Sequence, residues 1–336
     1  TSVRTGYRGM RRIRERNLLR RERLFRVLHI LGFLPSHFDN AIGWNKSDNR
    51  TYGKFKDESE PKLAWRKGAD GKMKFIFMDA FNEMLADFSK SQPQLTADGH
   101  LIPLDWTIYY LRHKALSQPI TPQQLAWIIL NFNQKRGYYQ LRGEESEEEN
   151  KPTKREEYLP LRIDKVEATN EKSGDNIWYN LHLENGWIYR RRSKLPLFDW
   201  EGKTKEFIVT TDLNPDGTEK LDKEESVKRS FRAPNADDWT LLKKRTEASI
   251  EESDETVGSF IYNTLLNKPN EKIIGKLVRT IERKYYRQEL ELILRKQAEF
   301  IPELRDYKML QACVSELYPS NEAHRNSLLR KDIIYL

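Results

Sequence analysis

The first 31 residues contain ten arginines, no lysine and only two acids, Glu15 and Glu22, which gives this segment a net charge of +8. The whole chain of 336 residues also has a net charge of +8, so the rest of it is electrically neutral. A cationic segment this concentrated in an otherwise neutral protein is typical of an element that binds a polyanion.

A helical projection of residues 4–31 gathers the large apolar side chains into a stripe about 60° wide. The stripe contains Met10, Ile13, Leu24, Leu28 and Leu31, together with Asn17. The arginines cover most of the remaining circumference. We therefore predict a single helix, about 42 Å long at roughly 1.5 Å per residue, that docks by a thin apolar seam and presents guanidinium groups on several sides.

The exclusive use of arginine favours phosphate as the partner, because a planar guanidinium group can bind two phosphate oxygens and is less strongly hydrated than an ammonium group. Arginines four residues apart recur at roughly 6 Å along a helix, close to the phosphate spacing of one nucleic-acid strand. The residues in this repeat are Arg4, Arg8, Arg12, Arg16 and Arg20. The alternative is an exposed basic helix that pairs with acids elsewhere in the fold.

Helical periodicity continues after a stop at Gly32 and Pro35. Apolar residues spaced three and four apart predict a helix around residues 77–88, and two more helices are predicted at 105–117 and 121–135. The acidic run at 144–149 reads as a solvated linker and is the predicted domain boundary. A long helical pattern at 273–300 follows further helices that begin at Trp239.

Between residues 155 and 232 the pattern changes from helical to alternating, and Asn185-Gly186 offers a two-residue hairpin turn. We therefore predict a mainly α-helical, elongated protein in which a small β module interrupts the helices. The predicted segments are an arginine-rich helix at 1–31, helical regions at 32–150 and 236–336, and a β-rich insertion at 151–235.

Catalytic and metal-binding motifs are missing from the sequence. Its six histidines are scattered, no pair of His and Cys has zinc-binding spacing, and no P-loop occurs. The one cysteine, Cys313, excludes an internal disulfide and is predicted to be a buried structural thiol. Asp237 and Asp238 are interpreted as surface acids. We predict no catalytic residue, no metal ligand and no cofactor, and the uncharged run at 115–134 is too polar to span a membrane.

A second basic and aromatic cluster lies near residue 137, where a glycine permits a turn beside cations and stacking rings. Its candidate contacts are Lys135, Arg136, Tyr138 and Arg142. A glycine C-cap with cations at the helix end explains the same residues equally well. The triplet Arg190 to Arg192, with Lys194, closes a hairpin and either contacts phosphate or forms an ordinary charged loop.

These segments together resemble a known family. The arginine-rich stretches at 8–14 and 20–24 are similar to the bridge helix of the type II CRISPR RNA-guided DNA endonuclease, the single-protein Cas effector of the Csn family. Segments at 110–116 and 125–138 resemble a motif of its recognition lobe, and those at 256–258 and 285–297 resemble its later helices. The resemblance covers most of residues 4–142 and 256–300.

The resemblance implies that the helix grips the guide-RNA backbone near its seed. The implied guide contacts are Arg4, Arg8, Arg11, Arg12, Arg14, Arg16, Arg20, Arg21 and Arg23. The implied partners are a guide RNA, a trans-activating RNA, target DNA in the RNA–DNA heteroduplex and the nuclease lobe of the same parent chain, in the cytoplasm of a prokaryote and with no membrane.

We expect the chain, which starts at Thr1, to be a piece of a longer protein that lacks both nuclease sites and is not an enzyme by itself. Magnesium is expected only for the nuclease domains of the parent, which is implied to be a magnesium-dependent DNA endonuclease. Two alternatives remain: a general RNA-binding scaffold with a basic helix, and a complete nuclease with an unrecognised site.

Overall fold

The computed structural model of the protein describes residues 2–48, 50–56, 65–67, 73–91, 104–134, 153–221, 227–235, 238–267 and 281–330. The described residues are mainly α-helical and include a small β module, as predicted from the sequence patterns.

The helices, numbered in chain order, are α1 (Ser2–Ile30), α2 (Ser36–Asp39), α3 (Met78–Ser91), α4 (Leu104–Ala115), α5 (Pro122–Gln134), α6 (Trp239–Ser253), α7 (Val257–Asn267), α8 (Arg283–Gln297), α9 (Tyr307–Leu317) and α10 (Glu322–Leu328). The strands are β1 (Trp65–Lys67), β2 (Met73–Phe75), β3 (Lys154–Ser173), β4 (Asn176–Leu183), β5 (Ile188–Ser193), β6 (Thr204–Asp212) and β7 (Arg229–Arg232). Short 3-10 helices cover Phe198–Trp200 and Pro302–Arg305.

The arginine-rich segment forms one uninterrupted helix, α1, and glycine ends it. The backbone N–H of Phe33 donates to the carbonyl oxygen of Leu28 at 2.9 Å, and that of Gly32 donates to His29 at 3.0 Å. Gly32 has φ of 69°, the left-handed conformation that this type of helix end requires. The predicted stop is therefore confirmed.

The sequence also predicted the start of α5. The N–H of Gln124 donates to the Thr121 hydroxyl at 3.2 Å, and the N–H of Thr121 donates to the side-chain oxygen of Gln124 at 2.9 Å. This reciprocal pair satisfies two N–H groups at the helix N-terminus, and Pro122 fits the first helical position because it has no N–H to satisfy.

The chain divides into two compact units. The first contains residues 1–137, 253–275 and 283–336, and the second contains residues 138–252 and 276–282. Helix α6 therefore belongs largely with the strands that precede it, beyond the predicted segment boundary at residue 235. The acidic run at 144–149 lies outside the described residues.

In the first unit, the C-terminal part of α1 is buried against α5 and α9. Leu24, Phe25, Val27 and Leu28 are all buried. The ring of Phe25 packs edge-on against Phe38 at 5.4 Å. This apolar contact fixes one half of α1 in the core of the unit.

A buried ion pair joins α4 to α8 in the same unit. The Arg112 guanidinium donates to both carboxylate oxygens of Glu289, at 2.9 and 2.5 Å, and both side chains are almost completely buried. Burial by itself lowers the pKa of Arg112, but the charge of Glu289 and its hydrogen bonds outweigh that effect, so the pKa is raised. The guanidinium also lies over the ring of Phe132, with 4.4 Å between its carbon and the ring centroid.

Three of the segments that resemble the recognition lobe meet at this pair. The N–H of Gly258 donates to Glu289 at 3.0 Å, and a Cβ at position 258 would lie 2.2 Å from the carboxylate. The side-chain amide of Gln297 donates to the carbonyl oxygens of Ala115 and Gln118 at 2.7 and 2.8 Å. These motif residues therefore have structural roles inside the unit.

The second unit is built on a five-stranded antiparallel sheet with the order β5-β4-β3-β6-β7. The sheet is curled, so that its two edge strands approach each other. The ring centroids of Tyr189 on β5 and Phe231 on β7 are 5.4 Å apart. The inner face encloses a core of Ile163, Leu181, Phe207 and neighbouring apolar residues. The predicted β module is thus a curled sheet with its two edges close together.

Strand β3, the central strand, is missing from the sequence prediction. Its buried residues are Tyr158, Leu161, Ile163 and Val166, so they do not alternate regularly. The pairing of β3 with β4 has register shifts, which move side chains from one face to the other. The short pair β1 and β2 also went unpredicted.

The predicted helix at 273–300 is observed only from Arg283, where α8 begins. Glu282 is not helical, and its N–H donates to the Glu247 side chain of α6 at 2.8 Å. Residues 268–280 lie outside the described residues.

We expect Glu289→Ala to lower the free energy of unfolding by about 3–5 kcal/mol, because it leaves a buried guanidinium charge without its partner. Glu291→Ala is the matched control: Glu291 pairs with Arg295 on the exposed face of the same helix, at 3.3 Å, and its loss should cost about 0.5 kcal/mol. Urea unfolding of the full chain measures both. Equal losses would show that the buried pair is not important for stability.

Candidate nucleic-acid interface

The first two thirds of α1 present arginines to solvent. Seven side chains are exposed and form what we name the arginine ladder: Arg4, Arg8, Arg11, Arg12, Arg14, Arg16 and Arg20. They lie on several sides of the helix, as their spacing predicts.

No member of the arginine ladder forms an ion pair with a carboxylate in the part of the chain that the structure describes. Within the ladder, Nε of Arg16 donates to the carbonyl oxygen of Arg12 at 3.3 Å. Seven positive charges on one helix repel each other, and phosphates bound along the helix would relieve that repulsion. The alternative of a helix neutralised by acids finds no support among the described residues.

The predicted apolar seam is wrong for the first part of α1. Met10 and Ile13 are 58% and 57% exposed, and Tyr7 beside them is 59% exposed. Burial begins at Leu24, where α1 reaches the core of its unit. The apolar stripe therefore packs only in the C-terminal part of the helix, and the arginine ladder lies N-terminal to the packed part.

The last arginines of α1 have a different role. Nη1 of Arg23 donates to the carbonyl oxygen of Leu317 at 3.1 Å. Nε of Arg26 lies 3.1 Å from the carboxylate of Glu316, and its Nη1 donates to the carbonyl oxygen of Tyr52 at 3.2 Å. Arg21, predicted with Arg23 as a guide contact, is half-buried. Arg23 and Arg26 therefore attach α1 to its own unit.

Arg26, Tyr52 and Glu316 form the docking contact, which we name the Glu316 anchor. The sequence did not predict it. Tyr52 donates its hydroxyl proton to the second carboxylate oxygen of Glu316 at 2.7 Å, and burial together with this bond raises the pKa of Tyr52 to about 12. Gly53 has φ of 74°, and a Cβ there would lie 2.8 Å from Cγ of Arg26. Because the partners are more than 250 residues apart, no local pattern indicates this contact.

One further arginine, Arg283, lies close enough to the ladder to interact with it. Burial and the positive charge of Arg20 both lower the pKa of Arg283. It is the first residue of α8. No sequence pattern indicated this residue as part of the candidate interface.

The second predicted cluster, Lys135, Arg136, Tyr138 and Arg142, lies outside the described residues. The third predicted cluster, the arginines at 190–192, lies on strand β5, where successive side chains point to opposite faces of the sheet. Arg190 and Arg192 lie on one face of the sheet opposite Asn180 and Trp178, and Arg191 lies on the other face opposite Tyr179.

Two of the candidate acid and thiol residues are held in structural contacts: Asp238, which was interpreted as a surface acid but is buried, and Cys313. Asp238 is buried and accepts two hydrogen bonds from Arg232, at 2.7 and 2.6 Å, which lower its pKa. Asp237 lies outside the described residues. Cys313 is completely buried, and burial followed by the charge of Glu316 raises its pKa to about 12. Among the described residues, no group of three His, Cys, Asp or Glu side chains could hold a metal ion.

None of the helices that the structure describes is both long enough and apolar enough to cross a bilayer.

Comparison with known families adds one match. Residues 4–39 match the family described as the bridge helix of CRISPR-associated endonuclease Cas9. The match spans α1 and α2 and includes the whole arginine ladder, so this segment of the chain is similar to a Cas9 bridge helix. No curated protein matches the chain.

We expect Cys313 to resist alkylation in the native protein. With a pKa of about 12, almost none of the thiol is the reactive thiolate at pH 8. Iodoacetamide at pH 8, followed by mass spectrometry, should label native protein more than about 100-fold more slowly than protein unfolded in guanidinium.

The matched control for this labelling is Cys313→Ser combined with Ser315→Cys, which moves the thiol to an exposed position on the same helix. This variant should react rapidly without denaturant. Rapid labelling of the native wild type would contradict the assignment of Cys313 as a structural residue.

Proposed function

We propose that the chain is the guide-RNA and RNA–DNA heteroduplex binding part of a type II CRISPR RNA-guided DNA endonuclease. In this proposal residues 1–31 are its bridge helix. The regions at 32–150 and 236–336 belong to its recognition lobe, and the insertion at 151–235 interrupts that lobe.

One observation carries the proposal: the segment that matches a Cas9 bridge helix presents seven exposed arginines without a carboxylate partner among the described residues. Guanidinium groups without partners on a helix suit a phosphate backbone, which offers oxygens in pairs. Their spacing along α1 suits successive phosphates of one strand.

The Glu316 anchor and the buried Leu24 and Leu28 support this function because they fix the C-terminal part of α1. An arginine helix held at one end loses less conformational freedom when it binds, and this preorganisation favours affinity. Contacts to phosphates position RNA without reading its bases. An A-form duplex is recognised through shape and backbone in the same way, and the guide then reads the target by base pairing.

The proposed role is binding rather than cleavage. The partners are a guide RNA with its trans-activating RNA, the target DNA strand in the heteroduplex and the nuclease lobe of the parent chain. Magnesium belongs to that lobe in this proposal. We place the protein in the prokaryotic cytoplasm.

We expect wild-type protein to bind guide RNA with a steep salt dependence, because each phosphate contact releases counterions. Replacing Arg8, Arg12 and Arg16 together by alanine should reduce the slope of log affinity against log salt by about 2, at roughly 0.7 per contact for a single strand. Alanine favours helix, so α1 should keep its structure. Fluorescence anisotropy over a salt series measures both slopes.

The control is Arg295→Ala with Lys296→Ala, which removes two exposed charges that already pair with Glu291 and Glu299 in the same unit. It should leave the slope nearly unchanged. A flat salt dependence of the wild type would contradict the proposal. Equal affinity for cognate guide and an unrelated structured RNA would favour a general RNA-binding scaffold, and magnesium-dependent cleavage by this chain would favour a complete nuclease.

A further inference from the structure

Two tryptophans that pack against the core of the curled sheet carry cations on their rings. Trp187 precedes β5 and Trp200 follows it, and both pack against the core of the sheet. The two sites have the same chemistry but a different charge balance, and this difference points to a function.

The first site is neutralised. The guanidinium of Arg229 lies over Trp187, 4.4 Å from the ring centroid, and Nη2 of Arg229 forms an ion pair with Glu219 at 2.9 Å. The side chain of Arg229 is 18% exposed. An arginine that is covered and paired in this way has its charge already neutralised within the sheet.

The second site carries two positive charges that no carboxylate of the described residues pairs with. Arg191 of β5 and Lys205 of β6 both lie over Trp200, at 4.8 and 4.5 Å from the ring centroid. Neither forms an ion pair with any carboxylate of the described residues, and neither is fully buried. Two like charges held on one ring repel each other, and a phosphate backbone bound at this ring would relieve the repulsion.

The neighbouring cations differ from this pair. Arg190 is bound to Glu171, and Lys194 lies 3.0 Å from Asp175. Arg192 lies on the opposite face of the sheet from Arg191. Residues 153–232 contain 16 bases and 16 acids and are neutral as a whole. Arg191 and Lys205 are therefore not part of a generally basic surface.

We propose that Arg191 and Lys205, held on Trp200, form a phosphate-binding site for the backbone of an RNA strand. The guanidinium group can bind two oxygens of one phosphate, and the ammonium group adds a point charge beside it. The indole restricts both side chains, so little rotamer freedom remains to be lost on binding. This inference rests on the proposed function for the identity of RNA as the polyanion.

The test is the double variant Arg191→Gln with Lys205→Gln, which removes both charges and keeps most of each side chain over the indole. Anisotropy titrations of the full chain with guide RNA should show a slope lower by about 1.4 and an affinity about tenfold weaker at physiological salt. The matched control is Arg162→Gln with Lys165→Gln. It removes two exposed charges of the same sheet that already pair with Asp164 and Glu167, at 3.0 and 2.6 Å, and should change little.

Near-ultraviolet circular dichroism checks that the double variant folds. If it does not, Lys205→Gln alone serves, with an expected decrease in slope of about 0.7. Equal slopes for the test and control variants would overturn this inference. The inference would also be overturned if the double variant lost affinity for polyglutamate but kept its affinity for RNA. The partner of Arg191 and Lys205 would then be an acidic protein.

The variant of Arg8, Arg12 and Arg16 separates this inference from the proposed function. If that variant weakens RNA binding and the Arg191 and Lys205 variant matches its control, only the second site is refuted. If wild-type protein binds RNA without salt dependence, the proposed function itself fails.

Discussion

The attachment of α1 at one end is the constraint on which the candidate interface depends. Glu316 uses one carboxylate oxygen for Arg26 and the other for Tyr52, while Leu24 and Leu28 are buried beside it. With its C-terminal part fixed, the helix can expose its arginine ladder without collapsing onto acids of its own unit. The arginines of α1 therefore have two roles. Those up to Arg20 are exposed, and Arg26 attaches the helix to its own unit.

The sequence predicted features that depend on local chemistry. The extent of α1, its glycine stop and the Thr121 cap follow from neighbouring residues, and the structure confirms them. The hairpin at Asn185-Gly186 is present, but its loop has three residues (184–186) rather than the predicted two, because Leu183 pairs with Trp187 and Gly186 takes the left-handed conformation. The display of arginines on several sides of α1 was also predicted, because spacing along a helix determines which side each residue occupies. The exposure of Met10 and Ile13 did not follow, since apolar periodicity cannot show where the neighbouring structure ends.

What the sequence could not show depends on contacts between distant residues. Strand β3 was missed because its register shifts break the alternation by which strands are recognised. The pairs Arg26 with Glu316 and Arg112 with Glu289 join positions separated by 290 and 177 residues, and single-sequence patterns do not connect them. Arg112 also shows that a cation in a segment that resembles a nucleic-acid-binding lobe can be held in a buried structural ion pair.

The central claim is that the exposed part of α1, and not merely the net charge of the chain, holds the RNA backbone. Hydrogen–deuterium exchange measured peptide by peptide, with and without guide RNA, tests it most directly. RNA should slow exchange across residues 4–20 and change little across residues 24–30, which are already packed in the core. Tight RNA binding that leaves exchange at residues 4–20 unchanged would contradict the account.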